Sequence, residues 1–192
     1  MSTHTTTLAD YRRKTGTNRL GLWLFIVSDA FMFAGLFISR FFLLGTAVRP
    51  DVSQILGLVI TVVLLTSSFF MNRAESAMRF GDQKGFLRGT LVTLVLGVIF
   101  LIGVVGVEWQ IAPFGPADGV AASLFYAMTG FHAFHVLTGI IFLVIVYRNG
   151  RKGLYSTERH WAVEASAVYW HFVDVVWVFY YPALYLIGVA AG

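Results

Sequence analysis

The sequence has no cysteine and little charge. Without a thiol there can be no disulfide, no Fe–S cluster, no thiolate zinc site and no copper centre built on cysteine. Cysteine usage therefore carries no record of redox compartment. Charged residues make up 12% of the 192 residues, against about 25% in an ordinary globular domain. That is too little to coat a water-facing surface. It excludes an ordinary soluble enzyme, a disordered chain and a nucleic-acid-binding domain. Internal repeats and long low-complexity segments are also missing. Residues 1–19 are polar and Thr-rich with no apolar run of their own, so no cleavable signal peptide is expected and the first span must do the targeting.

What the chain has in excess is apolar sequence: 57% hydrophobic residues and a mean hydropathy of +0.74. A bilayer-spanning helix needs about 20 mostly apolar residues. Five runs qualify, at Leu20–Leu44, Gln54–Met71, Gly89–Val107, Val120–Tyr147 and Ala162–Gly188. Short segments with turn chemistry separate them: Arg49-Pro50-Asp51, Gly81-Asp82, Pro113-Phe114-Gly115-Pro116 and Asn149-Gly150. None has room for a soluble domain. The expected architecture is an all-α integral membrane protein, with residues 1–19 as a loosely ordered cytoplasmic N-terminal tail and residues 20–192 as a single domain of five transmembrane helices.

The charges sort by side. Arg12, Arg13, Lys14 and Arg19 precede the first span; Arg73, Arg79, Lys84 and Arg88 flank the second and third; Arg148, Arg151, Lys152 and Arg159 flank the fourth and fifth. Only Arg40 and Arg49 of the 14 basic residues lie on the other side. The positive-inside rule then places the N-terminus in the cytoplasm and the C-terminus outside. The basic pI of 9.6 and net charge of +4 are thereby explained by topology and contact with anionic lipid, not by a nucleic-acid partner.

Ionisable groups within a span are costly and face protein or water. Those to explain are Asp29 in span 1, His132 and His135 in span 4, and Glu164, His171 and Asp174 in span 5. A rise of 1.5 Å per residue puts Asp29 and His171 about 13 Å from the basic side, with Asp174 and His135 at about 18 Å. These groups are thus expected to share one layer, and Glu164, His171 and Asp174, at i, i+7 and i+10, to lie on one helix face. Two readings stay open: a carboxylate–imidazole network for proton handling, or helix-to-helix hydrogen bonds that lock the bundle. A bis-His haem between His135 and His171 is a sharper rival, whereas His132-x-x-His135 lacks a third residue for a metal site. A proton-coupled transporter built on Asp29 is disfavoured, because Gly/Pro unwinding breaks no span at mid-membrane.

Trp23, Trp109 and Trp161 lie near span ends and fit an interfacial belt. Trp170 and Trp177, seven residues apart, lie deeper on one face of span 5 and read as packing. Small residues allow close helix approach. Gly21, Ser28 and Gly35 on span 1, Gly103 and Gly106 on span 3, and Gly139 on span 4 are therefore expected to mark helix contacts.

Several stretches together resemble one family. Thr129-Gly130-Phe131-His132-Ala133-Phe134-His135-Val136 is similar to the GFHxxHV motif of subunit III of haem-copper oxidases. His160, Glu164 and Tyr169-Trp170-His171-Phe172-Val173-Asp174-Val175-Val176-Trp177 resemble the YWHFVDVVW region of the same family. Glu108-Trp109 with Ala112-Pro113-Phe114, and Trp23 with Ser28-Asp29 and Met32-Phe33, resemble its loop before the penultimate span and its buried-acid span. The resemblance covers nearly the whole chain after residue 19. Two positions depart from it: Asp29 stands where the family usually has Glu, and Ala133 where it commonly has Gly.

The resemblance implies a compact five-span bacterial form, lacking the first two spans of the seven-span mitochondrial type, in the bacterial cell (inner) membrane. It implies spans 1–2 set against spans 3–5 around a cleft filled with phospholipid. It implies a subunit without its own redox centre, with haem and copper in partner subunits. Its direct partner would be oxidase subunit I, with subunit II alongside, in aerobic electron transport that couples oxygen reduction to proton pumping. Asp29 takes the place of the family's buried acid near subunit I, and the subunit supports proton uptake by its neighbour. Glu108, His132, His135, His160, Glu164, Trp170, His171, Asp174 and Trp177 take the matching motif positions, none with a catalytic step. The alternatives are a related subunit of a quinol oxidase or nitric oxide reductase and, in another class, a haem b membrane anchor.

Overall fold

The computed structural model describes residues 8–190, in the order α1 (Leu8–Leu44), β1 (Val48–Arg49), α2 (Gln54–Arg79), α3 (Gln83–Leu101), a π-helical segment (Ile102–Glu108), α4 (Trp109–Ile111), α5 (Val120–Arg151), α6 (Trp161–Tyr181), a second π-helical segment (Pro182–Leu186) and β2 (Val189–Ala190). Among the described residues, five helical stretches are long and apolar enough to cross a membrane: α1, α2, Gln83–Ile111, α5, and α6 with its π segment. The outward surface is itself apolar, with Phe42 86% and Ile55 78% exposed, so the fold requires a hydrocarbon surrounding.

The helices run past the apolar runs into the basic flanks. α1 begins at Leu8. Residues 8–19, expected as a loose tail, are therefore helical; residues 1–7, with the rest of that expectation, lie outside the described residues. The added turns are tied down, since Tyr11 Oη accepts a hydrogen bond from Trp161 N–H at 3.1 Å.

α2 and α3 form the most intimate helix pair. Phe80-Gly81-Asp82 connects them, with Gly81 at φ +79°, and Asp82 caps α3 by accepting from Gly85 N–H at 2.9 Å. So short a turn forces antiparallel neighbours. A Cβ on Gly89 would lie 2.9 Å from Ala74 Cβ and 3.0 Å from the Phe70 carbonyl, so glycine sets how closely the helices approach.

α6 packs against α1, α2 and α5. Its two buried tryptophans anchor it. Trp170 lies between Gly97 of α3 and Gly139 of α5 and donates to Ser67 Oγ of α2 at 3.0 Å. Trp177 donates to Thr61 Oγ1 of α2 at 2.9 Å and meets Phe100 edge-on at 4.9 Å.

α1 is the loosely held member. Its buried residues are Ile26, Phe33 and Arg40, spaced by seven along one seam against α5 and α6. This corrects two expectations. The division of spans 1–2 from spans 3–5 is not the one the packing makes: α1 joins α5 and α6, while the short turn holds α2 on α3. The ladder Gly21–Ser28–Gly35 is not a contact face either. Gly21 and Gly35 face open space, because the bulkier Ile26 and Phe33 turn their side of α1 inward. Gly106 meets only its own helix at Ile102, whereas Gly103 abuts Ile60 and Gly139 abuts Trp170 as the small-residue argument predicts.

The end of the bundle opposite the basic loops is closed by Arg40. Its guanidinium is fully buried and donates to the carbonyls of Ala183 (2.8 Å), Gly45 (2.7 Å), Val48 (2.9 Å) and Ile187 (2.9 Å). This ties together carbonyls from the turn after α1, from β1, and from within and just after the second π segment. It also holds β1 beside β2 in a two-residue parallel pairing, Val48 to Val189 and Arg49 to Ala190.

Candidate functional site

The six ionisable residues singled out within the spans fall into four separate places. The most distinctive is Asp29 of α1 with His135 of α5. Asp29 Oδ2 lies 3.0 Å from His135 Nε2, and both side chains are largely buried. The other ring nitrogen, Nδ1, lies 2.7 Å from the Phe131 carbonyl one turn back. A carbonyl only accepts, so Nδ1 carries a hydrogen and Nε2 is the nitrogen presented to Asp29. The site can then hold one further proton, on the carboxyl or on Nε2.

Aromatic rings frame this pair. Phe33 and Phe131 lie 4.7 and 4.6 Å from the His135 ring, centroid to centroid. Tyr169 of α6 completes the frame, its hydroxyl 2.7 Å from Thr138 Oγ1 and 3.3 Å from the His135 carbonyl. The pair is not sealed. A crevice of about 360 Å³ opens onto it between α1 and α5, lined by Phe25, Met32, Phe134 and Tyr169. Toward the basic end, a crevice of about 500 Å³ is lined by Leu22, Phe25, Phe142, Trp161 and Tyr169. On the other flank of α1, one of about 440 Å³ is lined by Ile26, Phe37, Phe172, Val176 and Tyr180. A single narrow seam supports α1, so apolar hollows flank it on both sides.

Glu164 takes no part in that pair. It lies at the basic end, where Oε2 accepts from Arg19 at 2.7 Å and Oε1 stands 3.1 Å from His160 Nε2. His160 Nδ1 in turn lies 3.0 Å from the Ser156 carbonyl. These contacts tie α1 to the start of α6.

His132, one turn from His135, is fully buried and without a hydrogen-bond partner on either nitrogen. Its ring lies 4.8 Å from Trp177 and 5.6 Å from Phe100. On the α2 side of α6, His171 Nδ1 meets Ser68 Oγ at 2.6 Å, and Asp174 lies 4.0 Å from the same nitrogen with neither oxygen hydrogen-bonded. His135 thus turns to α1 and His171 to α2. The two rings meet different helices, an arrangement that does not favour the bis-His reading. Among the described residues, no three or more His, Asp or Glu side chains gather as a metal site would need.

Three residues at these places escape a reading by spacing. Arg40 counts in sequence as one of the outer charges, yet it is buried among carbonyls. Its position inside the run Leu20–Leu44 was the available signal. Tyr185 donates to Glu108 Oε2 at 2.6 Å, joining the two π-helical segments, while Glu108 Oε1 has no partner. Ser68 is one of several hydroxyls in its helix, and no local pattern marks it as the partner of His171.

The family model described as Cytochrome c oxidase subunit III matches residues 3–189. The chain is similar to Cytochrome c oxidase subunit 3 of Thermostichus vulcanus, 33% identical over 174 residues that cover 88% of this chain and 86% of that protein. The protein of the same name from Synechocystis is 34% identical over 176 residues, covering 87% and 74% of the two chains. That of Dasypus novemcinctus is 36% identical over 182 residues, covering 88% and 69%.

Proposed function

The chain belongs to the cytochrome c oxidase subunit III family, and from that premise we propose that it is an accessory subunit whose Asp29–His135 pair supports proton uptake by the oxidase subunit beside it. As a subunit III of a haem-copper oxidase it works in a complex with other oxidase subunits. Haem and copper reside in those partners, and this chain contributes no redox step. Subunit I is its direct neighbour and subunit II carries the electron entry. The names of its relatives favour cytochrome c as donor; isolation with a partner lacking copper would instead indicate a quinol oxidase or nitric oxide reductase. The basic end faces the cytoplasm of a bacterial cell, and phospholipid acyl chains occupy the apolar hollows flanking α1.

The observation that carries this reading is the Asp29–His135 contact itself. It is an acid and an imidazole with room for one shared proton, on the most weakly packed helix, bordered by an open crevice. The crevice leaves the pair accessible, as exchange of protons with a neighbouring subunit requires. Asp29→Asn tests it in the assembled complex. Haem content should be unchanged, while proton uptake falls or activity decays sooner during turnover. If the variant equals the parent in proton stoichiometry, lipid content and turnover lifetime, Asp29 serves packing alone.

A further inference from the structure

Two polar cavities lie at the basic end, and they differ in the number of acids in their walls. The smaller, about 240 Å³, lies between α1 and the start of α6 and includes Arg19, His160 and Glu164. Its wall holds two acids, Glu158 and Glu164, and Glu164 already accepts from Arg19 and faces His160. The larger, about 550 Å³, lies on the α2–α3 hairpin. Arg73, Lys84 and Arg88 line it, over a floor of Phe70, Gly89 and Val92. Asp82 is the one acid in its wall, and Asp82 is occupied in capping α3 through Gly85 N–H at 2.9 Å. None of the three cations enters an ion pair among the described residues. Arg73 instead lies over the Phe69 ring, 6.0 Å from its centroid.

The surface below this cavity is as informative as its charge. Arg88, Val92, Val95 and Ile99 follow at helical spacing, so one stripe of α3 leads from the cations into the apolar zone. Val95 is 50% and Ile99 47% exposed, and on α2 Val59, three turns from Phe70 on the same face, is 53% exposed. The close approach at Gly89 against Ala74 leaves no room for a side chain at that point of the groove. Three unpaired cations above an exposed apolar track match an anion with hydrocarbon attached. A free phosphate would use the cations and leave the track unused.

We propose that the α2–α3 hairpin carries a binding site for an anionic phospholipid, its phosphate held by Arg73, Lys84 and Arg88 and an acyl chain lying along Val92, Val95 and Ile99. The basic residues near the surface favour an anionic over a neutral headgroup by roughly tenfold or more. The site lies on the α2–α3 hairpin, away from the hollows that flank α1, so lipid there neither requires nor supplies lipid here.

The test uses the detergent-purified oxidase complex containing this chain, with phosphatidylglycerol or phosphatidylcholine carrying a photoreactive group in the acyl chain. Phosphatidylglycerol should label the segment around Val95 and Ile99 about tenfold more than phosphatidylcholine does. Millimolar inorganic phosphate should leave that preference standing. The triple variant R73Q/K84Q/R88Q should reduce phosphatidylglycerol labelling to the phosphatidylcholine level, while R73K/R88K retains it. Equal labelling by the two lipids in the parent complex overturns the proposal, and this arm decides even if the triple variant fails to assemble. Displacement of phosphatidylglycerol by inorganic phosphate also overturns it, in favour of a soluble-anion site. Labelling beside Phe25 and Tyr169 reads the hollows next to α1 independently, so loss at one place is distinguishable from loss at the other.

Discussion

Arg40 and Ala183, 143 residues apart, are joined by a buried hydrogen bond of 2.8 Å from Nε to the carbonyl oxygen. With three further carbonyls on the same guanidinium, this contact locks the far end of the weakly packed α1 to the end of the chain's last helix.

Removing that guanidinium should loosen the outer cap specifically. Arg40→Leu leaves four carbonyls without a donor and should destabilise the chain by about 3 kcal/mol or more, since unmade buried hydrogen bonds cost about 1–3 kcal/mol each where no water replaces them. Arg40→Lys should recover only part of this, because an ammonium lacks the planar fork that reaches several acceptors at once. Thermal melting of the complex, with limited proteolysis near Gly188, reads both effects. Parent-like melting and proteolysis of Arg40→Leu would show that water satisfies the carbonyls instead.

The second prediction concerns Trp170. A Cβ on Gly97 would lie 2.6 Å from Trp170 Cη2, and one on Gly139 would lie 3.0 Å from Cε3. Gly97→Ala should therefore destabilise by about 1–3 kcal/mol through overpacking. The smaller ring of Trp170→Phe in the same chain should return part of that loss, which a double-mutant cycle on melting temperature would detect. Strict additivity of the two changes would contradict the contact.

Tyr185 and Glu108 supply a third. The Tyr185 hydroxyl, 2.6 Å from Oε2, is the partner Glu108 has on its own chain. Tyr185→Phe should cost about 1–3 kcal/mol by orphaning a buried acid, and Glu108→Gln less, because the amide oxygen can still accept. Unfolding of the two single variants and the double variant separates the pair term from the cost of each change alone.

Sidedness can be read directly, because the chain brings no cysteine of its own. Leu154→Cys places a thiol at an exposed position between α5 and α6, and Ala117→Cys places one in the exposed turn before α5. A membrane-impermeant maleimide should label Ala117→Cys in intact cells and Leu154→Cys only after the inner face is opened. The reverse pattern would invert the topology taken from the positive charges.

The five spans were legible because length and apolarity are local properties, and an uninterrupted apolar run has few other uses. Their ends were not, because a helix keeps its hydrogen bonds after its side chains turn polar; α1 runs back to Leu8 for this reason. The depth arithmetic put Asp29, His135, His171 and Asp174 in one layer, yet they divide between two places, Asp29 with His135 and His171 with Asp174. Rise along a helix gives height and leaves open the neighbour each side chain faces. The Gly21–Gly35 ladder failed in a related way, since small residues permit close approach without dictating which helix comes near.

By itself the sequence determined that this is a membrane protein of five helices, with its basic residues gathered at one end and a handful of acids and imidazoles inside. These follow from transfer free energies summed along the chain, one segment at a time. Only the tertiary structure decided that Asp29 meets His135, that Glu164 closes on Arg19 and His160, that His132 stands alone among aromatic rings, and that Arg40 holds four carbonyls. Each of those contacts depends on the rotation of one helix about its axis relative to another, and that rotation is set by the packing of all five together.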